Sequence, residues 1–293
     1  MTLRNWWKIK TWFKYFIDRL SRISEKPILT SFLVLICLSF IVIGFSLPYY
    51  IWDFDNFYAQ ILAEAHGMLF DIAVIGILIF WLNKKGDVRL RISTYKDEID
   101  DFRLWESEEA AFRIVGNIKR LNRHNIFNID LVSTYLVKTN LNYVKLSGSN
   151  LNSANLSNSN LIGIDLSGAR LNQTKLENAN LNQANLENSF AGGANFRDAF
   201  LIKSNLKSAF LIKADFCNAF LMEADLRGSY LSEANFENAS LYKADLRGAE
   251  GLTIEQLSKS KTLYLTKLDD DLAKKAKLLF PELLGEETEV GVN

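Results

Sequence analysis

The chain of 293 residues is poor in the residues that build reactive or cross-linked sites, with two cysteines, two histidines and three prolines. Two cysteines can form neither a disulfide framework nor a four-ligand zinc site, and two histidines supply few bases or metal ligands. The 34 basic and 34 acidic residues cancel, which removes the usual electrostatic argument for nucleic-acid binding. A Gly-rich phosphate loop and a nucleophile elbow are also missing from the sequence. We therefore expect no enzyme, no cofactor, no metal site and no nucleic-acid partner.

Long apolar runs, by contrast, are present near the N-terminus. No charged side chain occurs between Lys26 and Asp53, and residues 28–47 form an uncharged run of 20 residues. A helix of that length spans about 30 Å, the thickness of the hydrocarbon core of a bilayer. A cleaved signal peptide is the alternative, but the run is too long for one and no small-residue cleavage site follows it. We predict a transmembrane helix here.

A second apolar run covers residues 67–82, and together the two runs predict a pair of transmembrane helices within residues 27–85. Seven basic residues precede the first run, four closely follow the second, and the link between the runs has none. Because cytoplasmic flanks carry the excess of Lys and Arg, we expect both termini to be cytoplasmic. The expected location is the inner membrane of a prokaryote.

Residues 1–26 alternate cations with aromatic residues, a composition typical of a helix that lies in the interface of an anionic membrane. The simpler interpretation is a plain orientation signal. Three polar residues in or near the second run are candidates for a pore or a wet cavity, since an ionisable group is costly in lipid. They are Glu64, His66 and Asp71. The alternative is that Asp71 is protonated or reaches the outer headgroups.

Residues 86–123 are predicted to be a helical connector, made of one long helix or two consecutive helices. Its first part carries apolar residues at spacings of four, three, four and three, the seam of a coiled coil. The seam lasts only two heptads, so packing on the chain's own domain is the alternative. The seam residues are Val88, Ile92, Tyr95, Ile99 and Phe102.

From Ile126 the chain repeats every five residues. Leu, Ile or Phe occupies each of 25 successive positions as far as Leu246, with Ala191 as the exception. Two residues before each of the last 20 of these positions lies a small residue, except at Ile164. A period of five fits neither a helix nor a strand, so the chain must turn in every unit, with the large and the small residue both pointing inward.

These units, such as Ala154-Asn155-Leu156-Ser157-Asn158, resemble the pentapeptide-repeat family, whose consensus is A(D/N)LXX. The resemblance covers about residues 124–250 and implies a right-handed quadrilateral β-helix with four units per coil. Residues 251–293 resemble the helical cap that follows such repeats, and Thr253 with Gln256 can form a capping box. Some members of the family mimic DNA through an acidic rod, but here 11 basic residues face 12 acidic ones, which argues against that function.

Four units per coil place outward residues on four faces according to their number modulo 20. Two opposite faces are apolar and the other two are polar. An exposed apolar surface of this extent is typical of a contact surface, although stacking between coils or cover by the chain's own helices are alternatives. The apolar faces comprise Phe200, Ile202, Phe220, Met222 and Tyr242 on one side, and Phe190, Phe210, Ile212 and Tyr230 on the other.

The sequence therefore favours a non-enzymatic scaffold for interaction or oligomerisation, anchored in the lipid membrane by a helical hairpin. Its cytoplasmic rod would assemble with copies of itself and offer a surface to a protein partner. The alternative is an oligomeric pore or membrane-perturbing effector, of a stress or phage-defence type, gated through the rod and assembled around Asp71.

Overall fold

The computed structural model describes residues 36, 37, 40, 41 and 57–285. The predicted interfacial segment 1–26 and most of the first predicted span, 28–47, lie outside the described residues. The chain divides into two compact units, residues 1–93 and 94–293.

Helix α1 (Phe57–Asp101) is 45 residues long and includes the whole second apolar run. It continues without a break through residues 85 and 86, where the sequence predicted the connector to begin. Many of its described apolar side chains are exposed, from Met68 at 68% and Phe70 at 70% to Phe80 at 68%, whereas Asp71, Ile75 and Ile79 are half-buried along one side. Within the part of the chain that the structure describes, no helix combines the length and the apolar composition needed to cross a membrane.

Helix α2 (Glu108–Arg123) follows a short turn. Ser107 caps it, because its side chain accepts a hydrogen bond from the backbone of Ala110. Glu108 and Glu109 lie in the first turn and Arg120 and Arg123 in the last, which suits the helix dipole. One face is fully buried, and its members are Ala110, Ala111, Ile114, Val115, Asn117, Ile118 and Leu121.

The repeat folds into a coiled solenoid held by parallel β-bridges between residues 20 apart. These bridges run without interruption from Asp130–Asn150 to Tyr230–Glu250. Because each unit has five residues, a spacing of 20 confirms four units per coil. Among the described residues the bridges are isolated and no longer strand forms. Each side of a coil is too short for more, since a corner interrupts the ladder every five residues.

A tight turn makes each corner. In the unit that follows Leu151, the N–H of Ala154 donates to the Leu151 carbonyl at 3.0 Å, and the turn residue Ser153 has φ of 58°. A positive φ at the third position defines a type II turn. Gly163 holds this place in another turn with φ of +61°, where an added Cβ would lie 2.7 Å from the ring of Tyr143. A larger residue at 163 would therefore have to displace the exposed ring of Tyr143.

The core is the pair of inward columns that the period predicted. The large column is buried from Leu131 to Leu246, and the small column is buried as well, with Ala184 and Ala214 each 1% exposed. Both inward assignments are confirmed. Ala191, the small residue in a Leu slot, is fully buried, and the coil continues through it. The same coil carries Phe196, which stacks on Phe216 with ring centroids 4.9 Å apart.

The C-terminal cap begins with helix α3 (Ile254–Leu257), and the predicted capping box between Thr253 and Gln256 is present. The solenoid then resumes for part of a coil, with bridges Ser240–Thr262 and Asp245–Lys267. Their spacing of 22 residues accommodates α3 as a two-residue insertion. Helix α4 (Asp270–Leu279) and a 3-10 helix (Pro281–Leu284) complete the cap. The Leu283 carbonyl accepts the N–H of Leu263 at 2.7 Å, so the cap pairs with the last coil edge.

Candidate interaction surface

Two apolar ladders run along the outside of the solenoid. The first ladder contains Phe200 and Phe220, whose rings stack with centroids 4.9 Å apart and planes 4° apart. That separation matches the rise of about 4.8 Å between neighbouring β-bridged segments. Ile202 and Met222 flank the rings and are half-buried. Tyr242, also half-buried, stacks on Tyr264 at 5.8 Å and extends the ladder into the cap.

The second ladder lies half a coil away. Phe190 stacks on Phe210 at 4.8 Å, and Phe210 stacks on Tyr230 at 4.5 Å. Ile212, beside Phe210, is exposed. Since ten of the 20 residues in a coil separate the two ladders, they occupy opposite sides.

Stacking between coils does not hide these ladders. Phe190, Phe200, Ile212 and Phe220 retain exposed fractions of 43%, 40%, 42% and 37%, because each ring covers only the faces of its neighbours and leaves its edge in solvent. Both ladders also occupy the same coils. At the ring positions of earlier coils the residues are polar, with Asn180 before Phe200 and Arg170 before Phe190. The stacked rings therefore form a band on the C-terminal half of the solenoid.

The other two sides are polar and internally paired. Asp225 and Asp245 accept the backbone N–H two residues later, at 3.1 and 3.3 Å, which fixes the turn. The same carboxylates bind the guanidinium groups of Arg227 and Arg247 through two hydrogen bonds each, of 2.5 to 2.9 Å. The hydrogen bond from the arginine side chain is the main reason why the pKa values of Asp225 and Asp245 are lowered. These pairs leave the sides charged but nearly neutral.

Cys217 occupies an outward position of its unit, yet its side chain is only 6% exposed. A short side chain in this row is covered by its longer neighbours, and Arg197, one coil earlier, forms an ion pair with Asp215 at 3.2 Å. Burial raises the pKa of the Cys217 thiol, which therefore stays protonated at neutral pH.

The N-terminal edge of the solenoid has two side-chain caps that the sequence analysis missed. The side chain of Asn122 accepts the N–H of Lys145 at 2.8 Å and donates to its carbonyl at 2.9 Å, which replaces a bridge partner. Arg103 donates to the carbonyl of Val132 at 2.9 Å and pairs with Asp130 at 3.4 Å. The only sequence signal was the expectation that an open β edge needs cover, and it did not identify these residues.

The predicted seam residues follow one side of α1 up to its C-terminal end, and Phe102 lies just after the last helical residue. Ile99 is buried, at 1% exposure, while Val88, Ile92, Tyr95 and Phe102 are half-buried. Tyr95 stacks on His124 with centroids 6.4 Å apart, and Arg113 lies 5.2 Å over the ring of Phe102. The C-terminal part of the seam therefore has partners within its own chain, which was the alternative to a coiled coil.

The polar residues proposed for a pore all lie on α1. Glu64 is exposed and Asp71 is half-buried, whereas the side chain of His66 lies outside the described residues. In the described part of the chain, no group of three or more His, Cys, Asp or Glu side chains could hold a metal ion. These candidates belong to the first compact unit and the ladders to the second, so a pore and a ladder contact are two separate hypotheses.

A known protein family matches most of the solenoid. The family described as Pentapeptide repeats matches in eight copies, over residues 149–188, 191–221 and 221–250. We refer to the solenoid that contains these matched residues as the pentapeptide-repeat domain. No curated protein matches the chain.

The pentapeptide-repeat domain is similar to several solved structures. A pentapeptide repeat protein from the Arabidopsis thaliana thylakoid lumen is 28% identical, with 39% of this chain and 71% of that chain covered and a TM-score of 0.30. HetL, a pentapeptide repeat protein involved in heterocyst differentiation regulation from the cyanobacterium Nostoc sp. strain PCC 7120, is 25% identical, with 52% and 93% covered and a TM-score of 0.21. QnrB1, a plasmid-mediated fluoroquinolone resistance protein, is 19% identical, with 53% and 83% covered and a TM-score of 0.26. TM-scores this low carry no functional argument.

Proposed function

We propose that this protein is a membrane-anchored, non-enzymatic scaffold whose pentapeptide-repeat domain assembles with other copies of itself. The observation that carries the proposal is the pair of apolar ladders on opposite sides of the same coils. A single self-complementary surface closes a dimer, whereas two different surfaces on opposite sides can link protomers into a ring or a line. The ladders therefore supply the geometry of a repeating assembly, and a further protein partner could use the same surface.

The anchor rests on the N-terminal residues. The uncharged run of residues 28–47 is long enough to span a bilayer, and α1 exposes Phe70, Ile72, Ile77 and Phe80 to more than 65% each. A helix that is apolar on all sides needs lipid or protein around it. The basic residues on both flanks favour a cytoplasmic pentapeptide-repeat domain.

The ladders are better suited to contact than to stability alone. Stacked aromatic pairs contribute about 0.5 to 1.5 kcal/mol each beyond the area they bury, and inward Phe216 and Phe236 already provide such stacking in the core, at 5.3 Å. Outward rings add exposed apolar edges at a cost in solubility. Their confinement to one band, with Asn or Arg one coil earlier, favours a binding surface.

Disulfide trapping tests the ladder contact. In full-length protein carrying C37S and C217A, I212C with M222C places one thiol in each ladder. We expect mild oxidation to produce linked oligomers of this variant, because the ladder of one copy meets a ladder of the next. The matched control K207C with E237C places one thiol on each polar side, where Lys207 and Glu237 are exposed. Equal linking of both variants, or linking of the control alone, would reject the ladders as the contact.

A pore is the second candidate function, and Asp71 favours it. Asp71 is half-buried on the same side of α1 as Ile75 and Ile79, and exposed Phe70 and Ile72 flank it along the chain. An ionisable group in such surroundings commonly faces a partner or water. The protein reconstituted in liposomes would release a trapped ion, and D71N would change that flux. If the ion gradient stays intact at every protein density, the pore is rejected and the scaffold is the only proposed function that remains.

A further inference from the structure

A second potential contact site lies at the N-terminal edge of the pentapeptide-repeat domain, away from both ladders. There, α2 and the first coil enclose an open cavity of about 340 Å³. Its lining comes from one face of α2 and from one side of the first coil. These residues are Glu108, Ala111, Phe112, Val115 and Lys119 on α2, and Val137, Lys138, Thr139 and Asn140 on the coil.

The floor of this cavity is an uncapped backbone edge. One coil later, the N–H of Asn160 donates to the Thr139 carbonyl at 2.8 Å, and the Asn160 carbonyl accepts from Leu141 at 2.8 Å. In the first coil, Asn122 satisfies the corresponding groups of Lys145. Among the described residues, no protein group pairs with the backbone N–H or carbonyl of Asn140, or with the carbonyl of Val137. Unpaired β edges of this kind are templates for an added extended peptide.

The side chains around this edge define the chemistry of the peptide. Phe112 is 80% exposed and, with Val115 and Val137, offers an apolar wall. Lys119 and Lys138 are both exposed, and no carboxylate forms an ion pair with either in the described part of the chain. With Glu108 as the one acidic residue in the lining, the cavity carries a net positive charge. It suits an extended peptide that has acidic side chains beside small apolar ones.

We propose that the edge at Val137–Asn140 binds residues 286–293 of a second copy of this chain as an added parallel or antiparallel rung. This segment reads Glu-Glu-Thr-Glu-Val-Gly-Val-Asn. Its three carboxylates complement Lys119 and Lys138, and Val290 and Val292, two apart, point to one face of an extended chain and can meet the apolar wall.

Distance along the solenoid selects a second copy as the source. The segment follows Gly285 in the cap, beside the rung at Thr262, and six bridges separate that rung from Asn140. At about 4.8 Å per bridge this is roughly 29 Å. Eight extended residues span at most about 29 Å, which leaves none to lie along the edge. The contact is therefore head-to-tail, and it links protomers in a line. It does not depend on the ladders.

Fluorescence anisotropy with a labelled peptide of residues 286–293 tests the site. The receptor is the full-length protein carrying E286K, E287K and E289K, so that its own segment does not compete. We expect saturable binding that K119E with K138E weakens by roughly 2- to 30-fold, the range for losing two exposed ion pairs. The matched control, K175E with K207E, changes the net charge equally but lies outside the cavity and should bind as the parent does.

Backbone pairing has its own control, which leaves the protein unaltered. In an extended peptide, every second backbone N–H points to the same side. We therefore expect that N-methylation of the set that faces the edge abolishes binding. N-methylation of the other set should be tolerated. Three outcomes would overturn the proposal. They are no binding at about 1 mM peptide, equal effects of the two methylated sets, and equal weakening of binding by the control variant. A truncated protein that lacks residues 286–293 has an open edge in every copy, so failure of this variant to bind the labelled peptide would likewise overturn the proposal.

Discussion

At the scale of single residues, the inward small column sets the strictest limit on the sequence. Ala184 and Ala214 are 1% exposed and share the narrow interior with leucines. We expect A184L and A214L each to lower the free energy of unfolding by about 1 to 3 kcal/mol, because added methylenes overpack the coil. Denaturant unfolding of the full-length protein measures this. K207L, at an exposed outward position, is the control and should change little.

The Arg227–Asp225 and Arg247–Asp245 pairs predict a pH dependence. Both carboxyl pKa values are lowered, first by the arginine hydrogen bonds. A lowered folded-state pKa contributes stability above the unfolded value, about 3.9 for Asp, and this contribution is lost as pH falls through the folded pKa. R227Q with R247Q should therefore be less stable than the parent at pH 7.

The difference between that variant and the parent should shrink below about pH 4, as the carboxyls become protonated. Unfolding curves at a series of pH values provide the measurement. K207Q, on the same side of the solenoid, is the control. A difference that grew on acidification would contradict the assigned pairs.

Residue-scale prediction succeeded wherever the five-residue period decided the direction of a side chain. It identified the buried columns, and it assigned the ladder residues to outward positions, because direction follows from position in the unit. The period does not predict how much of an outward side chain is covered. Cys217 is outward but buried, since cover depends on the length of side chains 20 residues away, such as Arg197. The period does not encode that length.

At the scale of elements, the first coil depends on side chains that substitute for a missing neighbour. N122A removes both hydrogen bonds to the backbone of Lys145. We expect a loss of roughly 1 to 3 kcal/mol, at about 0.5 to 1.5 kcal/mol for each bond, and faster amide hydrogen exchange at Lys145. N128A, an exposed neighbour, should leave exchange at Lys145 unaltered. Equal exchange in both variants would show that Asn122 does not cap the edge.

The elements themselves were partly readable from the sequence. The coils followed from their repeat, and the capping box at Thr253 followed from residue types three apart. The sequence did not predict that the solenoid resumes after α3. There the bridge Ser240–Thr262 joins residues 22 apart, because a two-residue insertion breaks the five-residue period. The caps Arg103 and Asn122 were missed for a similar reason, since each acts once and leaves no repeating pattern.

At the scale of the whole molecule, the proposed anchor predicts a defined topology. In full-length protein carrying C37S and C217A, cysteines are placed by N56C in the link between the apolar runs and by K259C in the cap. We expect a membrane-impermeant thiol reagent to label intact cells only at position 56, because the basic flanks favour a cytoplasmic pentapeptide-repeat domain. After the cells are opened, position 259 should react as well. Labelling of intact cells only at position 259 would invert the topology.

The most direct test of the account is the mass of the solubilised full-length particle across micromolar concentrations, compared with that of F200N with F220N. Asn is the residue that the chain itself places one coil earlier, at Asn180, so the exchange should not disturb the fold. The account predicts assemblies larger than the 33.4 kDa protomer, reduced by the double substitution but not by K175E with K207E. A wild-type particle that remains a single protomer at every concentration would contradict the central claim that the pentapeptide-repeat domain is an assembly surface.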